Sequence, residues 1–222
     1  MVRILKSKVK AVGAQMREVM FGDLPWDAWC GREGPQEAPW PLFRAAWTAR
    51  KVGDIDGSVA CLEQVVSQLG YDTRHYAQAW HYLRELGRSP SGEEERDVLG
   101  VIIESGNPGG LDVLGAYEDH TARYWSHRGT GYLWDRPDDG LDAEIDALFS
   151  AAREAVRKTR PRKGPRPERP PKGEFQISFL TPGGIHSGRG PAELLDGDAL
   201  AERVVECGTA LMRKLTASKR AP

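Results

Sequence analysis

The chain has 222 residues, with 31 Lys and Arg against 32 Asp and Glu, and its formal net charge is -1. This charge is too small to supply the overall positive field of a protein that coats nucleic acid, and no run approaches the roughly 20 apolar residues of a membrane-spanning helix. We therefore expect neither bulk nucleic-acid coating nor a membrane span.

The cysteines indicate a reducing compartment. Cys30, Cys61 and Cys207 are widely spaced and odd in number, so they predict free thiols rather than a disulfide framework or structural zinc. Lysines interrupt the first ten residues, where a secretory signal needs an apolar stretch. A cytoplasmic location is predicted, and the abundance of Arg, Ala, Gly and Pro suggests a bacterial genome.

Four helices are predicted in the first part of the chain, where apolar residues recur at three- and four-residue steps. They cover residues 2–20, 41–52, 55–66 and 72–86. A loop rich in Trp and Pro is predicted over residues 21–40, and it holds Trp26, Trp29 and Trp40. Exposed tryptophans are costly in water, so these rings either pack the loop onto the body or bind a protein partner.

The second and third predicted helices and the turn between them follow the residue pattern of a known helical repeat. Gly53, Asp54 and Ile55 form the turn, and the small, aliphatic and bulky residues Ser58, Val59 and Leu62 follow it. Residues 47–65 thus resemble a single tetratricopeptide-type helical hairpin. The resemblance implies peptide or protein binding, although a solenoid needs roughly three or more stacked repeats.

The composition changes at residues 88–92, which divides the chain into a helical region, residues 1–88, and an α+β domain, residues 96–216. Strands are predicted at residues 98–104, 111–117, 121–126, 130–135 and 174–180. Helices over residues 141–156 and 198–215 are predicted to cover the sheet. The expected fold class is α+β, a helical region followed by a mostly antiparallel five-stranded sheet with two covering helices.

Short turns at residues 118–120 and 127–129 fix the predicted register of the sheet. Tyr117 then opposes Thr121, and Ser126 opposes Thr130. This register assigns one set of side chains to the core face: Leu114, Ala116, Ala122, Tyr124, Tyr132 and Trp134.

Residues 158–173 are rich in proline, lysine and arginine, and we call them the Pro-rich segment. Such a composition predicts an extended, semi-rigid connector, whose charges can also contact phosphates or an acidic surface. A linker without binding function is the simpler interpretation.

A Gly-rich segment, residues 181–190, follows the last predicted strand and precedes the last predicted helix. Strand, Gly-rich loop and helix is the order that cradles phosphates with backbone amides. Arg189 and Gly190 replace the lysine and hydroxyl residue of a phosphate-loop consensus, which excludes a nucleoside triphosphatase of that type. The candidate anion-binding residues are Gly183, Gly184, His186, Arg189, Arg162 and Arg166; a turn with a purely geometric role is the alternative.

No metal site, cofactor or catalytic motif is predicted. His75 and His81 are six residues apart on a helix, whereas ligands on one face need a spacing of about three or four. The favoured function is therefore a non-catalytic interaction or adaptor protein that binds a protein partner. Binding of nucleic acid or another anion is one alternative, and a small hydrolase or transferase centred on His186 is another, since residues distant in sequence can form a catalytic site.

Overall fold

The computed structural model describes residues 2–6, 12–31, 35–191 and 197–217. Parts of the predicted first helix (7–11), of the tryptophan loop (32–34) and of the loop before the last helix (192–196) lie outside the described residues. The helices are α1 (Val12–Met20), α2 (Trp26–Cys30), α3 (Trp40–Lys51), α4 (Ile55–Ser67), α5 (Thr73–Glu85), α6 (Asp142–Lys158) and α7 (Ala199–Ala217). The strands are β1 (Arg3–Lys6), β2 (Gly100–Asn107), β3 (Gly110–Tyr117), β4 (Ala122–Trp125), β5 (Thr130–Trp134), β6 (Glu174–Thr181) and β7 (Gly184–Pro191).

The α+β class is confirmed, and the described strands form one antiparallel sheet in the order β1-β5-β4-β3-β2-β6-β7. Two of the seven strands were not predicted. β1 lies within the predicted first helix, and it pairs with β5 from Arg3 opposite Leu133 to Lys6 opposite Thr130. The apolar spacing after residue 11 is that of a helix, but residues 3–6 form backbone hydrogen bonds with β5 at the edge of the sheet instead.

The predicted register of the meander is confirmed. The Tyr117 amide donates to the Thr121 carbonyl at 3.0 Å, and the Ser126 amide donates to the Thr130 carbonyl at 2.8 Å. Because side chains alternate along a strand, this register places the predicted core residues on one face. α6 and α7 pack on that face in a single apolar core.

The opposite face of the sheet packs against α1 and against Phe21, the residue that follows this helix. Ile102, Val113 and Tyr117 lie there with Met20 and Phe21 in a second apolar cluster. The Tyr117 hydroxyl donates to the Met20 carbonyl at 2.8 Å. The helical region is thereby joined to the sheet at its centre.

The two helices predicted from apolar spacing over residues 41–52 and 55–66 are present as α3 and α4 and form a helical hairpin. Gly53 in the turn has a φ of +83°, which favours glycine. The Asp54 carboxylate caps α4 by accepting a hydrogen bond from the Gly57 amide at 2.9 Å. α5 begins in the same way, because Asp72 accepts from the Arg74 amide at 2.9 Å.

The prediction of a loop throughout residues 21–40 was wrong, because α2 forms within it. Trp26 and Cys30 of this short helix are buried in the core of the helical region. Tertiary packing thus gives helical structure to a segment that its prolines marked as irregular. No described helix combines the length and the apolar composition that a membrane span requires.

Candidate anion-binding cleft

The Pro-rich segment lies across the sheet and is held there along its length. The Arg162 amide donates to the Ile185 carbonyl at 2.8 Å, and the Gly173 amide donates to the Gly106 carbonyl at 2.9 Å. Between them, the Arg17 guanidinium donates to the Pro167 carbonyl at 2.8 Å. The segment is therefore fixed to β2, β7 and α1.

A cleft of about 520 Å³ opens between the Pro-rich segment, the end of α1, α5 and the β6–β7 turn. We call it the arginine cleft. Its lining includes three arginines, Arg84, Arg162 and Arg166, together with Glu18, Asp23, His81, Gly183 and Gly184.

Arg84 enters the cleft from the last turn of α5. Its Nη1 donates to the Pro182 carbonyl at 2.5 Å, and no carboxylate of the described residues forms an ion pair with it. Burial lowers the pKa of Arg84 to about 10, although Asp23 and Glu85 act in the opposite direction. The Arg84 charge is thus partly removed from water without a full counter-charge.

Arg166 enters from the Pro-rich segment and meets two carboxylates. Its guanidinium is bonded to Glu18, and its Nη1 lies 3.2 Å from Asp23 Oδ1. Burial and the nearby charges of Arg17 and Arg169 lower the pKa of Arg166 to about 10. Arg162, by contrast, is exposed at the cleft margin, and no described carboxylate forms an ion pair with it.

Two further groups in the cleft have shifted pKa values. Burial raises the pKa of Asp23 to about 6, and this effect outweighs the opposing charges of Arg17 and Arg84. Burial also lowers the pKa of His81, whose Nε2 lies 3.4 Å from Glu85 Oε1. Arg84 is partly buried and has no ion pair among the described residues, and Arg162 and Arg166 line the same cleft. Such a concave site favours an anionic ligand, because guanidinium groups bind carboxylate and phosphate oxygens in a bidentate manner.

The structure brings together four of the six residues predicted for anion binding. Arg162, Arg166, Gly183 and Gly184 all line the arginine cleft. The predicted strand, loop and helix order was wrong, however, because residues 184–191 form β7 and pair with β6. Gly183 lies in the tight turn between these strands, and its amide donates to the Glu95 carbonyl at 3.0 Å.

Arg189 and His186, the other two predicted residues, do not line the cleft. Arg189 donates to Gln176 Oε1 from Nε at 3.0 Å and from Nη2 at 2.7 Å, on the face that carries Glu104. His186 is buried on the opposite face, where its Nδ1 lies 2.9 Å from the Thr159 hydroxyl. Burial and the charge of Arg96 lower the pKa of His186.

Sequence reasoning missed Arg84 and Asp23. Arg84 looks like an ordinary basic residue near the end of a helix, and Asp23 looks like a turn residue. The Arg84 contact to Pro182 joins residues 98 positions apart. A local pattern carries no signal for such a contact.

The three predicted partner-binding tryptophans lie against the helical core. The Trp26 ring stacks on Tyr82 at a centroid distance of 3.8 Å, and its Nε1 donates to Glu85 at 2.7 Å. The ring centroids of Trp29 and Trp40 lie 4.8 Å apart. These contacts favour a packing role, and partner binding through these rings stays a prediction.

Within the described ranges, no group of three or more His, Cys, Asp and Glu residues is placed to hold a metal ion. The chain matches no protein-family model, no curated protein and no solved structure.

Proposed function

We propose that the protein binds a phosphate-bearing ligand in the arginine cleft. The observation that carries this proposal is the convergence of Arg84, Arg162 and Arg166 on one cleft, with Arg84 half-buried and bonded to a carbonyl rather than to a carboxylate. This proposal develops the anion-binding alternative derived from the Pro-rich and Gly-rich segments.

The size and charge of the cleft favour a small ligand over a long polyanion. A volume of about 520 Å³ lies in the range of roughly 300 to 1,000 Å³ that is typical of small-molecule sites. Glu18 and Asp23 lie among the arginines, and the whole chain has a formal charge of -1. A nucleic-acid strand would need a continuous positive track, so nucleic-acid binding is the weaker form of this proposal.

Calorimetric titration of the full chain with inorganic phosphate at low ionic strength tests the proposal. We expect saturable binding. Arg162→Ala should weaken it about tenfold, because a hydrogen bond to a charged group contributes roughly 1.5–3 kcal/mol. Arg162 is exposed, and its backbone amide contact to Ile185 persists in the variant.

Lys172→Ala provides the matched control. Lys172 is an exposed cation of the same Pro-rich segment, but it does not line the cleft. Its loss should change phosphate affinity little. The absence of saturable binding, or an equal loss of affinity in both variants, would overturn the proposal.

The other functional predictions stay open beside this one. The adaptor function rests on the helical hairpin and the tryptophans. The hydrolase or transferase alternative rests on His186. An enzymatic activity that is unchanged in His186→Ala would rule this alternative out. The bacterial origin is supported by the amino-acid composition alone. The cytoplasmic location is supported by the free thiols and by the lysines in the first ten residues.

A further inference from the structure

Asp23 is an unusual neighbour for an anion site. Asp23 lines the arginine cleft, and its side chain is only 13% exposed. Its buried Oδ1 atom lies 3.2 Å from Arg166 Nη1 without hydrogen-bond geometry. The charged and titratable groups around it come from three elements: Arg17 and Glu18 of α1, His81 and Arg84 of α5, and Arg162 and Arg166 of the Pro-rich segment. Because Arg166 Nη1 lies 3.2 Å from Asp23 Oδ1, an anion bound by Arg166 must approach this carboxylate.

An ionised carboxylate repels a fully ionised anion, and the repulsion is strong where water is largely excluded. A single proton between the two groups changes repulsion into a charge-assisted hydrogen bond. Inorganic phosphate brings such a proton, because hydrogen phosphate is not fully deprotonated near neutral pH. A phosphomonoester, with a second pKa of about 6, has lost most of its P–OH protons at pH 7.5. Sulfate is fully ionised near neutral pH and brings none.

We propose that Asp23 makes the arginine cleft selective for phosphate over sulfate by accepting a hydrogen bond from the phosphate P–OH group. The inference rests on the proposed function, and it assigns the ligand as inorganic phosphate, which keeps a P–OH group near neutral pH. The proton stays on the ligand oxygen, and no covalent bond between heavy atoms forms or breaks. Sulfate binding requires Asp23 to take a proton from solvent, so sulfate affinity should fall as the pH rises above about 6, the raised pKa of this carboxyl group.

Paired titrations with inorganic phosphate and sodium sulfate at pH 7.5 and equal ionic strength test this inference. We expect the unmodified protein to bind sulfate at least about tenfold more weakly than phosphate. Asp23→Asn should reduce this preference by raising sulfate affinity, because the amide donates a hydrogen bond to either anion. Thermal unfolding of the variant checks that it folds.

Glu18→Gln is the matched control. It removes a neighbouring carboxylate of the same charge, which bonds Arg166 and is 42% exposed. The phosphate preference should persist in this variant if the Asp23 hydrogen bond determines it. An equal loss of preference in both variants would show that net charge alone is responsible, and would overturn the inference.

A second measurement does not depend on any variant. Sulfate binding to the unmodified protein should take up about one proton at pH 7.5, seen as a dependence of binding heat on the buffer's ionisation enthalpy. Equal affinity for both anions, without proton uptake, would overturn the selectivity but leave the anion site standing. Failure of both anions to bind would instead overturn the proposed function itself.

Discussion

Arg17 and Glu104 form an ion pair inside the protein, where their side chains are 5% and 0% exposed. The Arg17 Nη2 atom donates to Glu104 Oε2 at 3.2 Å. Glu104 Oε2 also accepts from Gln176 at 2.8 Å, and Gln176 in turn accepts from Arg189. One polar network therefore joins α1, β2, β6 and β7 beneath the Pro-rich segment.

Arg17→Met should lower the free energy of unfolding by about 3–5 kcal/mol, because it leaves a buried carboxylate without its counter-charge. Urea denaturation at pH 7 measures the change. The double variant Arg17→Met/Glu104→Leu should recover part of the loss, since it removes both buried charges. A single variant as stable as the unmodified protein would contradict this interpretation.

The elements that could be predicted from the sequence are those determined by local residues. The β3–β4–β5 meander follows from its two short turns, which fix the pairing at Tyr117 and Ser126. α6 follows from its apolar stripe, which includes Ile145 and Leu148, both buried. In each case the deciding residues are neighbours in sequence.

β1 and β7 were missed because each depends on a partner strand rather than on its own pattern. β1 is four residues long and pairs with β5, more than 120 residues away. β7 contains Gly184, Gly188 and Gly190, a composition typical of a loop, but the tight turn at residues 182–183 directs it back along β6. The arginine cleft is similar: the composition indicated Arg162 and Arg166, whereas Arg84 and Asp23 reach the site only through the tertiary fold.

Trp26→Ala should destabilise the protein by about 3–5 kcal/mol, as is typical of a large aromatic removed from a core. Trp26 is 6% exposed and stacks on Tyr82. Trp26→Phe keeps most of the ring contact and loses the hydrogen bond to Glu85, so a loss of about 1 kcal/mol is expected. Chemical denaturation of the two variants measures both changes in the free energy of unfolding.

Val52→Ala is the control for the tryptophan variants. Val52 follows α3 and is 78% exposed, so its truncation should change stability by less than about 0.5 kcal/mol. A Trp26→Ala variant as stable as Val52→Ala would contradict the packing role and would favour the alternative, in which the ring binds a protein partner.

Gly106→Ala should release the Pro-rich segment from the sheet. A Cβ atom at this position of β2 would lie 2.0 Å from the Pro171 carbonyl oxygen. The backbone of β2 or of the Pro-rich segment would therefore have to move. We expect a loss of about 1–3 kcal/mol, in the range of overpacked sites, and faster tryptic cleavage within residues 158–173. Gly188→Ala is the matched control in β7, because its Cβ would meet no atom within 4 Å. Equal cleavage rates in the two variants would contradict a close contact at Gly106.

Asp23→Asn should stabilise the protein at pH 8 and lose this effect in acid. The pKa of Asp23 is raised by burial from its ordinary value of 3.8 to about 6, so the folded state holds a proton that the unfolded state has released. The stability that Asp23 contributes as a neutral acid is complete below about pH 4 and is lost as the pH rises through 6. The amide does not titrate, so the variant should exceed the unmodified protein by on the order of 2 kcal/mol at pH 8 and match it near pH 4. Urea denaturation at the two pH values measures the difference. A constant difference would contradict the raised pKa and would show that Asp23 titrates as an ordinary exposed carboxyl group.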